Sequence, residues 1–198
     1  MYKYGLNGIL ADDMGLGKTL QALSLIQKAK EEDGSMPVLV VCPTSVVFNW
    51  ESEIQKFTPE LSCLKLAGVD RKSLFDKIPE HDIVITSYAL IRRDIEELKN
   101  IKFRYVVLDE SQNIKNAMSQ TAQAVKMLDS DHRLALSGTP IENRLEELWS
   151  VFDFLMPGFL FNIAEFNFRY VNPIMERQDK TVEKRLKMQI YPFILRRM

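Results

Sequence analysis

Short runs of Val, Ile and Leu recur along the first three-quarters of the chain. Between them lie longer stretches in which apolar residues fall three and four apart. The runs at 7–11 (NGILA), 37–42 (PVLVVC), 62–67 (SCLKLA), 82–86 (DIVIT), 103–108 (FRYVVL) and 133–137 (RLALS) have strand length, and several are apolar at nearly every position. Continuous apolar runs are what strands covered on both faces need. The helical period falls on 18–32, 45–57, 70–77, 88–99 and 117–128, with a further amphipathic stretch at 142–155 (ENRLEELWSVFDFL). Strands alternating with helices predict an α/β fold, a central mostly parallel sheet flanked by helices. After Pro157-Gly158 the pattern changes: residues 159–198 are rich in Phe, Tyr, Met and basic side chains without strand alternation. This predicts a first unit over 1–156 and a helical extension over 157–198.

Composition narrows the class only a little. The chain has 198 residues, 46% of them hydrophobic and 27% charged, enough to bury a substantial core. No stretch approaches the roughly 20 apolar residues of a membrane span, and the first apolar segment is broken by Asp12 and Asp13 rather than forming a signal peptide. Cys42 and Cys63 sit in apolar surroundings without metal-ligand spacing, so reduced thiols and a cytoplasmic protein are expected. A net charge of −1 gives no overall attraction to nucleic acid. Any such contact has to be local.

Chemistry enters at ILADDMGLGKTLQAL, residues 9–23. A strand runs into a glycine-containing loop and then Lys-Thr at the mouth of a helix. A helix N-terminus already carries about half a positive charge, so a lysine placed there calls for a strongly anionic ligand. The Walker A pattern G-x-x-x-x-G-K-[ST] cradles phosphates with backbone N–H groups; its Lys reaches the β/γ-phosphates and its hydroxyl binds Mg²⁺. Here Asp12 stands where the first glycine would be, followed by Asp13, Met14, Gly15, Leu16, Gly17, Lys18 and Thr19. These eight residues are the candidate nucleotide cradle, for ATP with Mg²⁺.

A second strand, YVVLDESQ (105–112), ends in Asp109-Glu110-Ser111-Gln112. A carboxylate there helps hold Mg²⁺ with Thr19, directly or through water, and its neighbour can orient or deprotonate the attacking water. Lys18, Asp109 and Glu110 are the candidate catalytic residues. A third apolar strand ends in LALSGTPIEN (134–143), which brings Ser137, Gly138 and Thr139 to the edge where open α/β sheets bind ligands.

These segments, with VLVVCPTSVVFNWESEIQKF, DIVITSYALI, VVLDESQNIKN and the closing PFILRRM, occur in the order found in Swi/Snf-type ATPases. The sequence resembles that family over essentially its whole length. The resemblance implies the first RecA-like lobe of a superfamily-two, ATP-dependent translocase on double-stranded DNA. It implies that Ser137 to Pro140 link nucleotide state to movement. It also implies that Pro43-Thr44 and Thr86-Ser87-Tyr88 touch a DNA sugar-phosphate backbone, contacts that carry little sequence information. Partners implied are duplex DNA, contacted without sequence specificity, and a second RecA-like lobe of the same protein that supplies arginine fingers. Arg196 and Arg197 match the family's linker between lobes. One departure from the family stands out, Asp-Glu-Ser-Gln where its pattern is Asp-Glu-Ala-His; Asp12 departs from the general Walker A pattern. The alternatives are a strand-separating helicase or restriction-enzyme motor subunit, a nucleotide-dependent switch, and a small-molecule kinase. QNIKN and SGTP favour the translocase, and the order of six segments argues against a kinase.

Overall fold

In the second strand the side chains divide between two cores. Val38, Val40 and Cys42 join one apolar cluster, while Leu39 and Val41 join the other. The same alternation holds in the fourth strand, with Ile83 and Ile85 opposite Val84, and in the fifth, with Tyr105 and Val107 opposite Val106 and Leu108. A strand buried on both faces has no polar side, which is why these segments read as unbroken apolar runs.

A computed structural model describes residues 7–13, 15–138 and 145–197. The elements in order are β1 (Gly8–Leu10), α1 (Lys18–Asp33), β2 (Val38–Cys42), α2 (Val47–Phe57), β3 (Cys63–Lys65), β4 (Ile83–Ser87), α3 (Tyr88–Leu98), β5 (Lys102–Leu108), α4 (Gln120–Lys126), β6 (Asp129–Leu136), α5 (Leu145–Leu155), α6 (Ile163–Phe166), α7 (Asn172–Arg177), α8 (Lys180–Ile190) and β7 (Ile194–Leu195). The seven strands form one sheet in the order β3-β4-β2-β5-β6-β1-β7. Every described strand pair is parallel. Helices α1 and α2 cover one face, contributing Leu23, Ile26, Trp50 and Ile54. Helices α3, α4 and α5 cover the other.

The α/β expectation therefore holds, with three differences of detail. The helix expected over 70–77 is a series of 3₁₀ turns, Asp70–Glu80, in which Pro79 lacks the N–H a regular helix needs. Helix α4 begins only at Gln120, because the Ser119 hydroxyl accepts from the Ala122 N–H and caps it there. Strand β6 starts at Asp129 rather than 133, its polar end pairing with Lys102 and Phe103 of β5.

The C-terminal segment is not wholly helical, which corrects the expectation for 157–198. Ile194–Leu195 forms β7 at the sheet edge, with Ile9 opposite Ile194 and Leu10 opposite Leu195. Two residues are too few to show alternation, so this strand left no periodic signal. The helices before it contribute Phe166, Tyr170, Leu186 and Ile190 to the same apolar cluster as α3, α4 and α5.

Candidate active site

Parallel strands put all their C-terminal ends on one rim, and the candidate residues fall there in strand order. The end of β4 and the start of α3 carry Thr86–Tyr88, and the turn after β2 carries Pro43-Thr44. The loop after β5 carries the acidic box, that after β6 carries Ser137, and that after β1 carries the phosphate loop. Because β6 lies between β5 and β1, Ser137 stands between the acidic box and the phosphate loop, and its N–H donates to the Leu10 carbonyl at 3.0 Å. Gly138 follows at the edge of the described residues; Met14, Thr139 and Pro140 lie outside them.

The phosphate loop has the backbone the sequence requires. Gly15 and Gly17 have φ of 87° and 73°, a region that residues with a Cβ rarely adopt. Gly17 is the N-cap of α1 and carries no side chain to cap it, so the first N–H groups of α1 are left to a ligand. Lys18 folds its Nζ back onto its own loop, donating to the carbonyls of Asp12 at 2.9 Å and Asp13 at 3.3 Å. Thr19 is half-buried in the first turn, while Asp13 and Leu16 are exposed. Gln21, one turn further, donates to the Asp12 carboxylate at 3.1 Å and the Leu16 carbonyl at 3.1 Å. Asp12 is buried, and Arg197 pairs with it at 2.5 Å. That guanidinium, with Gln21, holds the Asp12 carboxyl down at about 2, against the opposing effect of burial.

The acidic box is gripped from both faces of the sheet. Trp50 of α2 donates its indole N–H to Asp109 Oδ2 at 2.8 Å, and Tyr88 of α3 donates its hydroxyl to the Asp109 carbonyl at 2.8 Å. Burial pushes the Asp109 carboxyl above its ordinary range, partly offset by the Trp50 bond and by the Lys18 charge. Lys18 follows β1 and Asp109 follows β5, and only β6 lies between those strands. Glu110 sits in the left-handed region at φ 52°. Gln112 donates to its carboxylate at 2.8 Å, and the Asn113 side chain donates to its carbonyl at 2.8 Å. The Ser111 hydroxyl is buried without a partner among the described residues.

A family profile described as the SNF2-related domain matches residues 1–198. The chain belongs to this family. An SNF2-related domain with 46% sequence identity occurs in a solved structure described as the Sulfolobus solfataricus SWI2/SNF2 ATPase core in complex with dsDNA. The match has a TM-score of 0.93 and covers 98% of this chain and 41% of that one. TATA-binding protein-associated factor mot1 of Schizosaccharomyces pombe is 43% identical, over 99% of this chain and 11% of its own length. YwqA of Bacillus subtilis, which carries the name of a candidate ATP-dependent helicase/translocase, is 44% identical over 98% of this chain and 21% of its own. The chain thus spans only a small part of these two relatives.

Within this SNF2-related domain the five residues expected to touch DNA differ in access. Thr44 is exposed and Pro43 half-buried, but Thr86, Ser87 and Tyr88 are buried. The hydroxyls of Thr86 and Ser87 have no partner among the described residues, whereas that of Tyr88 is committed to Asp109. Sequence reasoning missed Trp50, Gln21 and Arg197. Trp50 sits at an apolar helix position and reads as core; only its N–H reveals a second role. Arg197 is 185 residues from Asp12, beyond any spacing rule.

Proposed function

We propose that this domain is the first ATPase lobe of a protein that uses ATP to move along double-stranded DNA without separating its strands. The observation that carries the reading is the convergence on one rim of an uncapped helix N-terminus, the phosphate-loop lysine and the buried Asp109 carboxylate. Lys18 leaves its carbonyl partners for the β/γ-phosphates, and the N–H groups of the first turn of α1 receive the phosphate oxygens. Glu110, held by Gln112, orients the attacking water and takes its proton.

Magnesium fits this donor set. Among the described residues no group of three or more His, Cys, Asp or Glu side chains could hold a metal alone. Mg²⁺ bound with nucleotide needs only one or two protein ligands, the remainder coming from phosphates and water. Thr19 and Asp109, the latter directly or through water, would hold the ion, which would neutralise phosphate charge. The C-terminal ends of β2 and β4 face a DNA backbone, Thr44 by its side chain and the buried positions by their backbone. Support comes from the duplex in the complex of the Sulfolobus relative and from the QNIKN and SGTP segments.

Two substitutions in the full-length protein test the site. Lys18→Ala is expected to abolish ATP turnover while leaving the circular dichroism spectrum unchanged, since among the described residues the lysine holds only its own loop carbonyls. Glu110→Gln is expected to bind ATP normally but turn it over about 10²–10⁴-fold more slowly. Wild-type turnover in the lysine variant would remove the nucleotide site. Loss of binding in the glutamine variant would make Glu110 a ligand rather than a base.

A further inference from the structure

The residue that breaks the Walker A pattern has a partner of its own. Strand β7 runs along β1, and the pairing continues beyond both strands into the phosphate loop. The Ala11 N–H donates to the Leu195 carbonyl at 2.8 Å, and the Asp13 N–H to the Arg197 carbonyl at 3.2 Å. The Arg197 N–H returns to Asp12 Oδ1 at 2.8 Å. Arg197 then lays its guanidinium on the carboxylate, Nη2 to Oδ2 at 2.5 Å and Nε to Oδ2 at 3.1 Å, and its Nη2 also donates to Gln21 Oε1.

We propose that Asp12 and Arg197 form a latch through which the segment Ile194–Arg197 sets the affinity of the phosphate loop for nucleotide. Arg197 is a positioning residue that acts through Asp12. The proposal rests on the reading of this loop as an ATP site.

Asp12 is the point on which the loop hangs. Its carbonyl holds Lys18, and its carboxylate holds the Gln21 amide, which in turn reaches the carbonyls of Leu16 and Gly17. The Asp12 side chain is fully buried, whereas half of the Arg197 side chain is exposed. A buried carboxylate at the foot of a phosphate cradle repels the ligand the cradle is built for, and poor solvent screening magnifies that repulsion. Arg197 cancels the charge and fixes the carboxylate in one orientation. The latch rests on a two-residue strand at the sheet edge, where Leu195 is exposed and only the partly buried Ile194 packs against a core, so it opens more easily than the strands inside the sheet. When it opens, Asp12 loses its cation and must turn toward water, carrying the anchors of Lys18 and Gln21 with it. Nucleotide then binds weakly, and by linkage bound nucleotide holds the segment down. If a second lobe follows this segment, the latch reports its position to the phosphate loop.

Binding of a fluorescent ATP analogue with Mg²⁺ to the full-length protein tests this in a double-mutant cycle. Arg197→Ala in the wild-type background is expected to weaken binding by about ten- to a hundredfold, the range for losing a charge-assisted hydrogen-bond pair. In an Asp12→Asn background the same substitution is expected to change affinity less than threefold (~0.6 kcal/mol), because no buried charge remains to be cancelled. Unchanged affinity in Arg197→Ala would overturn the latch. An equal loss in both backgrounds would overturn it too, since Arg197 would then act on the nucleotide itself. Wild-type binding by Lys18→Ala would instead overturn the ATP-site reading. Should Arg197→Ala fail to fold, hydrogen exchange of the wild-type protein decides. Added analogue is expected to slow exchange at the Ala11, Asp13 and Arg197 amides, and unchanged exchange there would overturn the latch.

Discussion

Two buried aspartates on this sheet are shifted in opposite directions, and the contrast separates structure from chemistry. Burial pushes Asp82 up, but Lys30, Ser35 and Ser62 together outweigh it and hold the carboxyl at about 2. Lys30 Nζ lies 2.9 Å from Oδ2, and the Ser35 hydroxyl donates to Oδ1 at 2.7 Å. Asp109 has the Trp50 indole and the Glu110 N–H on its two oxygens, yet burial wins and its carboxyl rises. A carboxylate left short of positive charge is one that a cation stabilises. Asp82, fully partnered, has a structural task at the N-terminal end of β4. Because its folded value is lowered, it stabilises the fold above the unfolded value near 3.8 and loses that contribution as pH falls toward 2. Asp82→Asn is therefore expected to cost about 2 kcal/mol at pH 7. The gap from wild type should close between pH 4 and pH 2, as denaturant unfolding at a series of pH values would show. A gap that persists at pH 2 would mean that packing, not charge, is what Asp82 supplies.

At the scale of elements, α2 and α3 do more than cover the sheet. Each follows a strand end proposed to face DNA, and each sends one polar group back to Asp109. Trp50→Phe keeps an aromatic ring in the core and removes only the indole N–H. It is expected to raise the Mg²⁺ concentration for half-maximal ATP turnover about tenfold, the usual scale for losing a group that orients a metal ligand. Nucleotide affinity without Mg²⁺ should stay as it was. Equal loss in both measurements would make Trp50 a packing residue alone. What the sequence shows of these elements depends on how far apart the partners lie. The phosphate loop and the acidic box are legible because each is one strand and the loop that leaves it, so a contiguous stretch records both fold and chemistry. The Trp50–Asp109 bond joins residues 59 apart and the Asp12–Arg197 pair residues 185 apart, so no local pattern holds either. Strand β7 is hidden for a different reason: two residues at an edge, after aromatic helices, carry no period.

For the whole molecule, the sheet order decides what these residues can do by themselves. Phosphate loop, acidic box and the Ser137 loop occupy adjacent strand ends on one rim, and the β4 and β2 loops continue that rim away from the nucleotide. Every charge that the described residues bring to the phosphates therefore comes from one side. Phosphoryl transfer is fast only when the developing charge is met from the other side as well, and an arginine finger is worth about 10³–10⁵ in rate. Among the described residues, the two arginines beside the phosphate loop are already taken up: Arg197 is engaged with Asp12, and Arg196 lies 3.9 Å from Asp13. Residues 1–198 alone are thus expected to fold around their two cores, to bind ATP weakly, and to hydrolyse it at a rate at least about 10³-fold below that of the full-length protein with duplex DNA. Duplex DNA added to residues 1–198 should not raise the rate, because on the proposed reading the missing charge comes from a second lobe and not from DNA. Steady-state turnover with and without duplex, beside a Lys18→Ala control that removes contaminating activity from account, measures this directly. Vigorous DNA-stimulated hydrolysis by residues 1–198, lost in the control, would mean that one rim of one sheet suffices.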